Sequence, residues 1–212
     1  MTDFRAYSSA AYSVELPVQH KFPMYKYAGV RDTLALEGLT ILEPPRPDWT
    51  LVERVHSDAY LRKLRFGTLE VKEVRLLGFP WSPELVERAL RATGGTLQAA
   101  RDALRTGLGI NLAGGTHHAY ADHGEGFCVL NDVAIAVLEL QITQQLERIL
   151  ILDLDVHQGN GSARIFADDP RVFTLSVHGE RNYPFHKEAS TLDIGLPDDV
   201  TDLEYHHILE TR

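Results

Sequence analysis

The run ILILDLDVHQGNG, residues 149–161, constrains this chain more than any other stretch. Ile149, Leu150, Ile151 and Leu152 form a short aliphatic block that reads as a core β-strand. Asp153, Asp155 and His157 follow at alternate positions. Strand side chains alternate between two faces. The three ionisable groups therefore point to one side, and Leu154 and Val156 to the other. Charge at the end of a buried strand is costly unless it is paired or holds a metal ion. Gly159 and Gly161 then supply a tight loop into a helix. A parallel α/β sheet places its ligands at the carboxyl ends of its strands, where this row falls. The alternative is a strand that simply leaves the core, with an aspartate capping the next helix.

The rest of the chain repeats this alternation. Residues 108–112, 148–156, 172–177 and 190–197 read as short strands. Residues 25–37 read as a helix stopped by Gly38, and residues 58–66 as a helix capped by Ser57 and ended by Gly67. The clearest helix starts after Ser82 with Pro83 in its first position, and Leu85, Ala89, Thr93, Leu97, Ala100 and Leu104 keep helical spacing. Gly94 and Gly95 interrupt it at a cost of roughly 1–2 kcal/mol against alanine, which close backbone approach could offset. Val133, Ala134, Val137 and Leu138 mark another helix. Residues 161–168 begin one more, and Thr201 with Glu204 forms a capping box for the last. Residues 14–24 read as a strand end and turn, and 44–49 as a loop. Helices alternating with β-branched runs predict a three-layer α/β domain, with a mainly parallel sheet flanked by helices.

No linker-like tract divides the 212 residues, so residues 1–212 are expected to form a single domain. A formal net charge of −9 argues against direct nucleic-acid binding. The single cysteine, Cys128, excludes an internal disulfide and suits a reducing compartment. Residues 1–17 lack the apolar core of a leader, and no run is long enough to span a membrane. Cytoplasm is the expected location. Oligomeric state is not legible.

A second cluster, GGTHHAY, follows the strand at 108–112. Adjacent histidines rarely share a face, so His117 and His118 are expected to do different work. On its own the pair would read as an exposed loop. Its place at a strand end of the same expected sheet suggests that it converges with Asp155 and His157. Carboxylate plus imidazole suits zinc. Such an ion polarises a carbonyl and brings its bound water to a pKa of about 7. One histidine then serves as general base, a second stabilises the oxyanion, and Asp153 orients an imidazole. That chemistry hydrolyses amides. His206 and His207 read as a solvated helix face, and Asp122, His123 and Glu125 as a polar loop. Cys128 reads as a small buried hydrophobe.

The stretches NLAGGTHHAYADHGEGFCVLND, ILDLDVHQGNGSA and VFTLSVHGERNYPF closely resemble the histone deacetylase family, chiefly its class IV and bacterial members. HKFPMYKYAGVRDTL also resembles the start of the bacterial members. The resemblance implies the arginase/deacetylase fold. It implies zinc, or another divalent metal, on Asp155 and His157. His117 and His118 match the tandem catalytic histidines, with His118 as general base. Asp153 matches the carboxylate behind the first, and Asn160 stands where many members place an aspartate behind the second. Gly126, Phe127 and Tyr183 match the walls of an acyl-lysine tunnel, and Asp153, Asp155 and Ser176 lie near a structural K+ site. The implied substrate is an acylated lysine or acylated small amine. Trp81 aligns where many members hold the substrate backbone with an acidic residue. The family's third metal ligand and its transition-state tyrosine match no residue up to Arg212, so the C-terminal part of the domain is expected to be missing. The rival expectations are a module that binds acylated ligands without turnover, and a manganese hydrolase of the arginase type.

Overall fold

The computed structural model describes residues 4–211. The chain forms two compact units, residues 1–146 and 147–212.

In the first unit three short strands run parallel in the order β2-β1-β3. They are β1 (Arg5–Tyr7), β2 (Thr40–Leu42) and β3 (Ile110–Asn111). Ala6 pairs with both Ile41 and Ile110. Six helices accompany them: α1 (Lys26–Leu36), α2 (Trp49–Val52), α3 (Asp58–Phe66), α4 (Val71–Leu77), α5 (Pro83–Thr106) and α6 (Asp132–Gln144). The local signals act as expected where they are strong. Ser57 accepts from the Tyr60 N–H, and Ser82 from the Leu85 N–H. Gly67 and Gly107 close α3 and α5 in the left-handed region that glycine adopts at no steric cost. The interior glycines of α5 are explained by close packing. A Cβ on Gly94 would lie 1.8 Å from the Pro45 carbonyl oxygen, and one on Gly95 would lie 2.7 Å from Asn111 Oδ1. Leu61, Leu64, Leu77, Leu85, Leu90, Leu130 and Ile135 form the fully buried centre.

In the second unit β4 (Ile149–Asp153), β5 (Val172–Gly179) and β6 (Leu192–Leu196) run parallel in that order. Helix α7 (Asn160–Ile165) connects the first two strands. Asp153 lies opposite Ser176, and Ser176 opposite Asp193. The capping box at Thr201 and Glu204 starts α8 (Asp202–Thr211), which carries the exposed His206 and His207.

Three expectations are corrected. The strands read as one sheet pair as two three-stranded sheets, one in each unit. The aliphatic block is not buried on both sides: Leu150 and Leu152 are 58% and 52% exposed, and Leu154 and Val156 continue that open face. Period-two alternation says which residues share a face, but an aliphatic run does not say that both faces are covered. Residues 14–24 contain no strand. Strands β1 and β2 and helix α4 were not legible, because a three-residue strand carries almost no periodicity.

Candidate active site

Strand β4 ends at Asp153, so Asp155 and His157 lie in the bend that follows rather than on the strand. This replaces the expected period-two row. Aspartate side chains organise the bend by accepting from backbone two residues onward. Asp153 Oδ1 accepts from the Asp155 N–H at 3.1 Å, and Asp155 Oδ1 from the His157 N–H at 2.8 Å. The outcome still brings the two expected metal donors together. His157 Nδ1 lies 2.8 Å from Asp155 Oδ1, with the side chains 39% and 50% exposed. Tetrahedral zinc with bonds of 2.0–2.1 Å separates its ligand atoms by about 3.3 Å. The pair therefore fits two corners of such a site with little movement. Among the described residues no group of three His, Cys, Asp or Glu side chains converges on one point.

Tyr183 stands edge-on to the His157 ring at a centroid distance of 5.9 Å. Asn160 opens α7 and is 1% exposed. Ser176 Oγ lies 3.0 Å from His178 Nδ1, and burial pushes that imidazole's pKa down. Gln158 is a supporting residue that sequence reasoning missed. Its amide nitrogen donates to the Glu188 carbonyl and to Asp193 Oδ1, and its oxygen accepts from the Glu188 N–H. One buried amide thus ties the loop beyond Tyr183 to β6. The signal for it was its place between His157 and the glycines.

In the first unit His117 and His118 occupy a turn six residues past β3, with ring centroids 4.1 Å apart. A tight turn lacks the alternation of a strand, so adjacent side chains can lie ring beside ring. His118 is buried and His117 half-buried. Two buried side chains brace the segment. Asp132 takes the Thr116 N–H and hydroxyl on Oδ1, at 2.7 and 2.5 Å, and the Thr96 hydroxyl on Oδ2. Asn131 caps α6 through the Ala134 N–H and donates its amide to the Ala119 carbonyl. Its own backbone N–H donates to His56 Nε2 at 3.0 Å. Burial pushes the His56 pKa down to about 4 and keeps that imidazole neutral. Neither Asp132 nor Asn131 was singled out in the sequence.

Gly126 and Phe127 form the tip of a small turn closed by the Glu125–Cys128 bridge. Phe127 has φ +67, a region that side chains other than glycine and asparagine enter at a cost. Its N–H donates to the Leu77 carbonyl at 2.8 Å, and its ring packs 5.2 Å from both Phe22 and Phe79. These contacts hold a 38% exposed aromatic ring in place. Trp81 donates its indole N–H to the Leu64 carbonyl and packs on Gly67, so it offers no charge to a ligand. His123 lies against Glu125 and Asp122, whose carboxylates raise its pKa. Cys128 is buried.

Residues 20–212 match the family model described as the histone deacetylase domain. The chain is 46% identical over 202 residues to an uncharacterized protein of Picosynechococcus sp., covering 93% of this chain and 67% of that protein. It is 31% identical over 180 residues to histone deacetylase 2 of Arabidopsis thaliana, covering 80% of this chain and 46% of that protein. The crystal structure of an HDAC homolog from Aquifex aeolicus superposes with a TM-score of 0.81 at 24% identity, over 99% of this chain and 63% of that one. The fold, parallel sheets flanked by helices, is therefore the arginase/deacetylase fold. The chain spans about half the length of the plant deacetylase.

Proposed function

Because the chain belongs to the histone deacetylase family, we propose that it serves metal-dependent amide hydrolysis, removing acyl groups, acetyl foremost, from lysine side chains or small amines. The observation that carries this reading is the pairing of Asp155 Oδ1 with His157 Nδ1 at 2.8 Å in an exposed bend at a strand's carboxyl end. These two residues would hold zinc. Zinc, when bound, polarises the acyl carbonyl and acidifies water. His118, shielded in its turn, accepts the proton of the attacking water, and an imidazole of the pair returns a proton to the departing amine. Asp153 and Asn160 keep the supporting roles that family resemblance gives them. Gly126, Phe127 and Tyr183 supply the walls for an acyl chain. Asp153, Asp155 and Ser176 are the assigned neighbourhood of a structural K+.

The test is turnover of a fluorogenic acetyl-lysine peptide and of an acetylated polyamine, with zinc measured per chain. His118→Ala should abolish turnover and leave zinc binding intact. His157→Ala should lose both. Full activity in either variant would overturn the reading. Binding of an acylated ligand by the wild-type chain, with no hydrolysis at any zinc concentration, would favour a binding module instead.

A further inference from the structure

The chain has two tryptophans, Trp49 and Trp81, and both line one cavity of about 550 Å³ in the first unit. It lies where α2, the end of α3 and the start of α5 meet. Its floor is Leu64, Val86 and Leu90, all buried. The charges on its rim are matched within the protein. Arg65 meets Glu53 at 2.5 Å, and Arg46 meets Glu87 at 2.9 Å, whose other oxygen takes Arg91 at 2.7 Å. The Arg65 and Arg46 guanidinium carbons also lie 4.3 and 5.9 Å from the Trp49 ring centroid. The Trp81 N–H is taken by the Leu64 carbonyl at 2.9 Å, and its ring is seated on Gly67. Trp49 is half-buried, and its indole N–H has no acceptor among the described residues.

This chemistry selects an uncharged ligand with an apolar body and carbonyl acceptors. A charged group would have to displace a rim partner already in place, and a hydroxyl-rich ligand would meet an aliphatic floor. A proline segment in the polyproline II conformation fits on each count. Its rings are apolar, it carries no N–H, and its carbonyls have no internal partner. Aromatic-lined surfaces hold such segments at low ordering cost, because the conformation is preformed. The following turns of α5 already receive one from this chain. Pro44 and Pro47 are buried, the Pro44 carbonyl accepts from Arg91 at 3.1 Å, and the Pro45 carbonyl fills the space that Gly94 leaves. Arg46, between those prolines, reaches the cavity rim.

We propose that this cavity docks a proline-rich segment of another protein, with a proline ring on the Leu64–Val86–Leu90 floor beside Trp81 and the Trp49 N–H donated to a peptide carbonyl. The chain has no other tryptophan, so its indole fluorescence reads this cavity alone. The probe is decaproline, acetylated and amidated so that it carries no charge. A Gly-Ser peptide of equal length and the same end groups is the control. Decaproline should change the emission of the full chain saturably, and the control should not. Trp49→Phe keeps an aromatic ring and removes the donor. Its affinity, read from Trp81, should fall about tenfold. A second measurement needs no variant. In nitrogen-15 spectra of the wild-type chain, the Trp49 indole signal should move as decaproline is added. Emission unchanged by decaproline, an equal response to the Gly-Ser peptide, undiminished affinity in Trp49→Phe, or an unmoved Trp49 indole signal would each overturn the proposal. A response to polyarginine or polyglutamate in place of decaproline would overturn it too, by showing that the rim pairs open for charge.

Discussion

Asp132 grips Thr116 twice, taking its backbone N–H at 2.7 Å and its hydroxyl at 2.5 Å on a single carboxylate oxygen. The residue that precedes the tandem histidines is thus fixed by the first residue of α6. Asp132 is 1% exposed, and removing its carboxylate leaves the Thr116 N–H without its acceptor, while the Thr116 and Thr96 hydroxyls keep the Leu130 and Ala92 carbonyls. Such a donor costs about 1–3 kcal/mol. Asp132→Ala should therefore lose about 1–3 kcal/mol in urea unfolding. Asp132→Asn, which keeps one acceptor, should lose less. Wild-type stability in Asp132→Ala would show that the grip is dispensable.

His56 makes stability depend on pH. Its folded pKa of about 4 lies below the ordinary 6.5. Between those values the unfolded chain binds a proton that the folded chain refuses. The contribution is complete above pH 6.5 and is lost as pH falls towards 4, amounting to about 3 kcal/mol. Denaturant titrations at several pH values should show this slope in wild type and a shallower one in His56→Gln. Equal slopes would mean that other groups carry the acid sensitivity.

Two helical glycines should respond oppositely to alanine. At Gly94 the new Cβ would collide with the Pro45 carbonyl oxygen at 1.8 Å. Gly94→Ala should cost about 1–3 kcal/mol or more, since the backbone must move. At Gly29, inside α1, nothing lies within 4 Å of the added carbon. Gly29→Ala should add about 0.5–1 kcal/mol through helix propensity. Paired thermal melts check both signs.

Zinc affinity should be modest for the chain as it stands, because the Asp155–His157 pair provides two donors and catalytic zinc sites use three protein ligands. Competition with a chromogenic chelator should place Kd well above that of a full site. His157→Ala should weaken it about 100-fold. Affinity unchanged in His157→Ala would remove the pair from the metal site.

Much of the architecture was legible because it rests on short-range chemistry. Ser57, Ser82 and Thr201 each mark a helix start, and Gly38 and Gly67 each mark a stop, because a cap is satisfied within a few residues. Strands β1 and β2 were hidden, since three residues each are held by partners distant in the chain. In the candidate site the residue types at 117, 118, 155 and 157 could be read. The bend that turns Asp155 towards His157 could not. It depends on aspartate side chains choosing backbone N–H groups over the continuation of a strand.

By itself the amino-acid order determined where α3, α5 and α8 begin, the alternation of strands with helices and the residue types able to hold a metal, all of which follow from interactions within a turn or two. Only the tertiary structure decided that Leu150 and Leu152 face solvent and that Phe127 adopts a left-handed backbone against Phe22 and Phe79. Those outcomes depend on which distant surfaces meet, and local spacing carries no record of that.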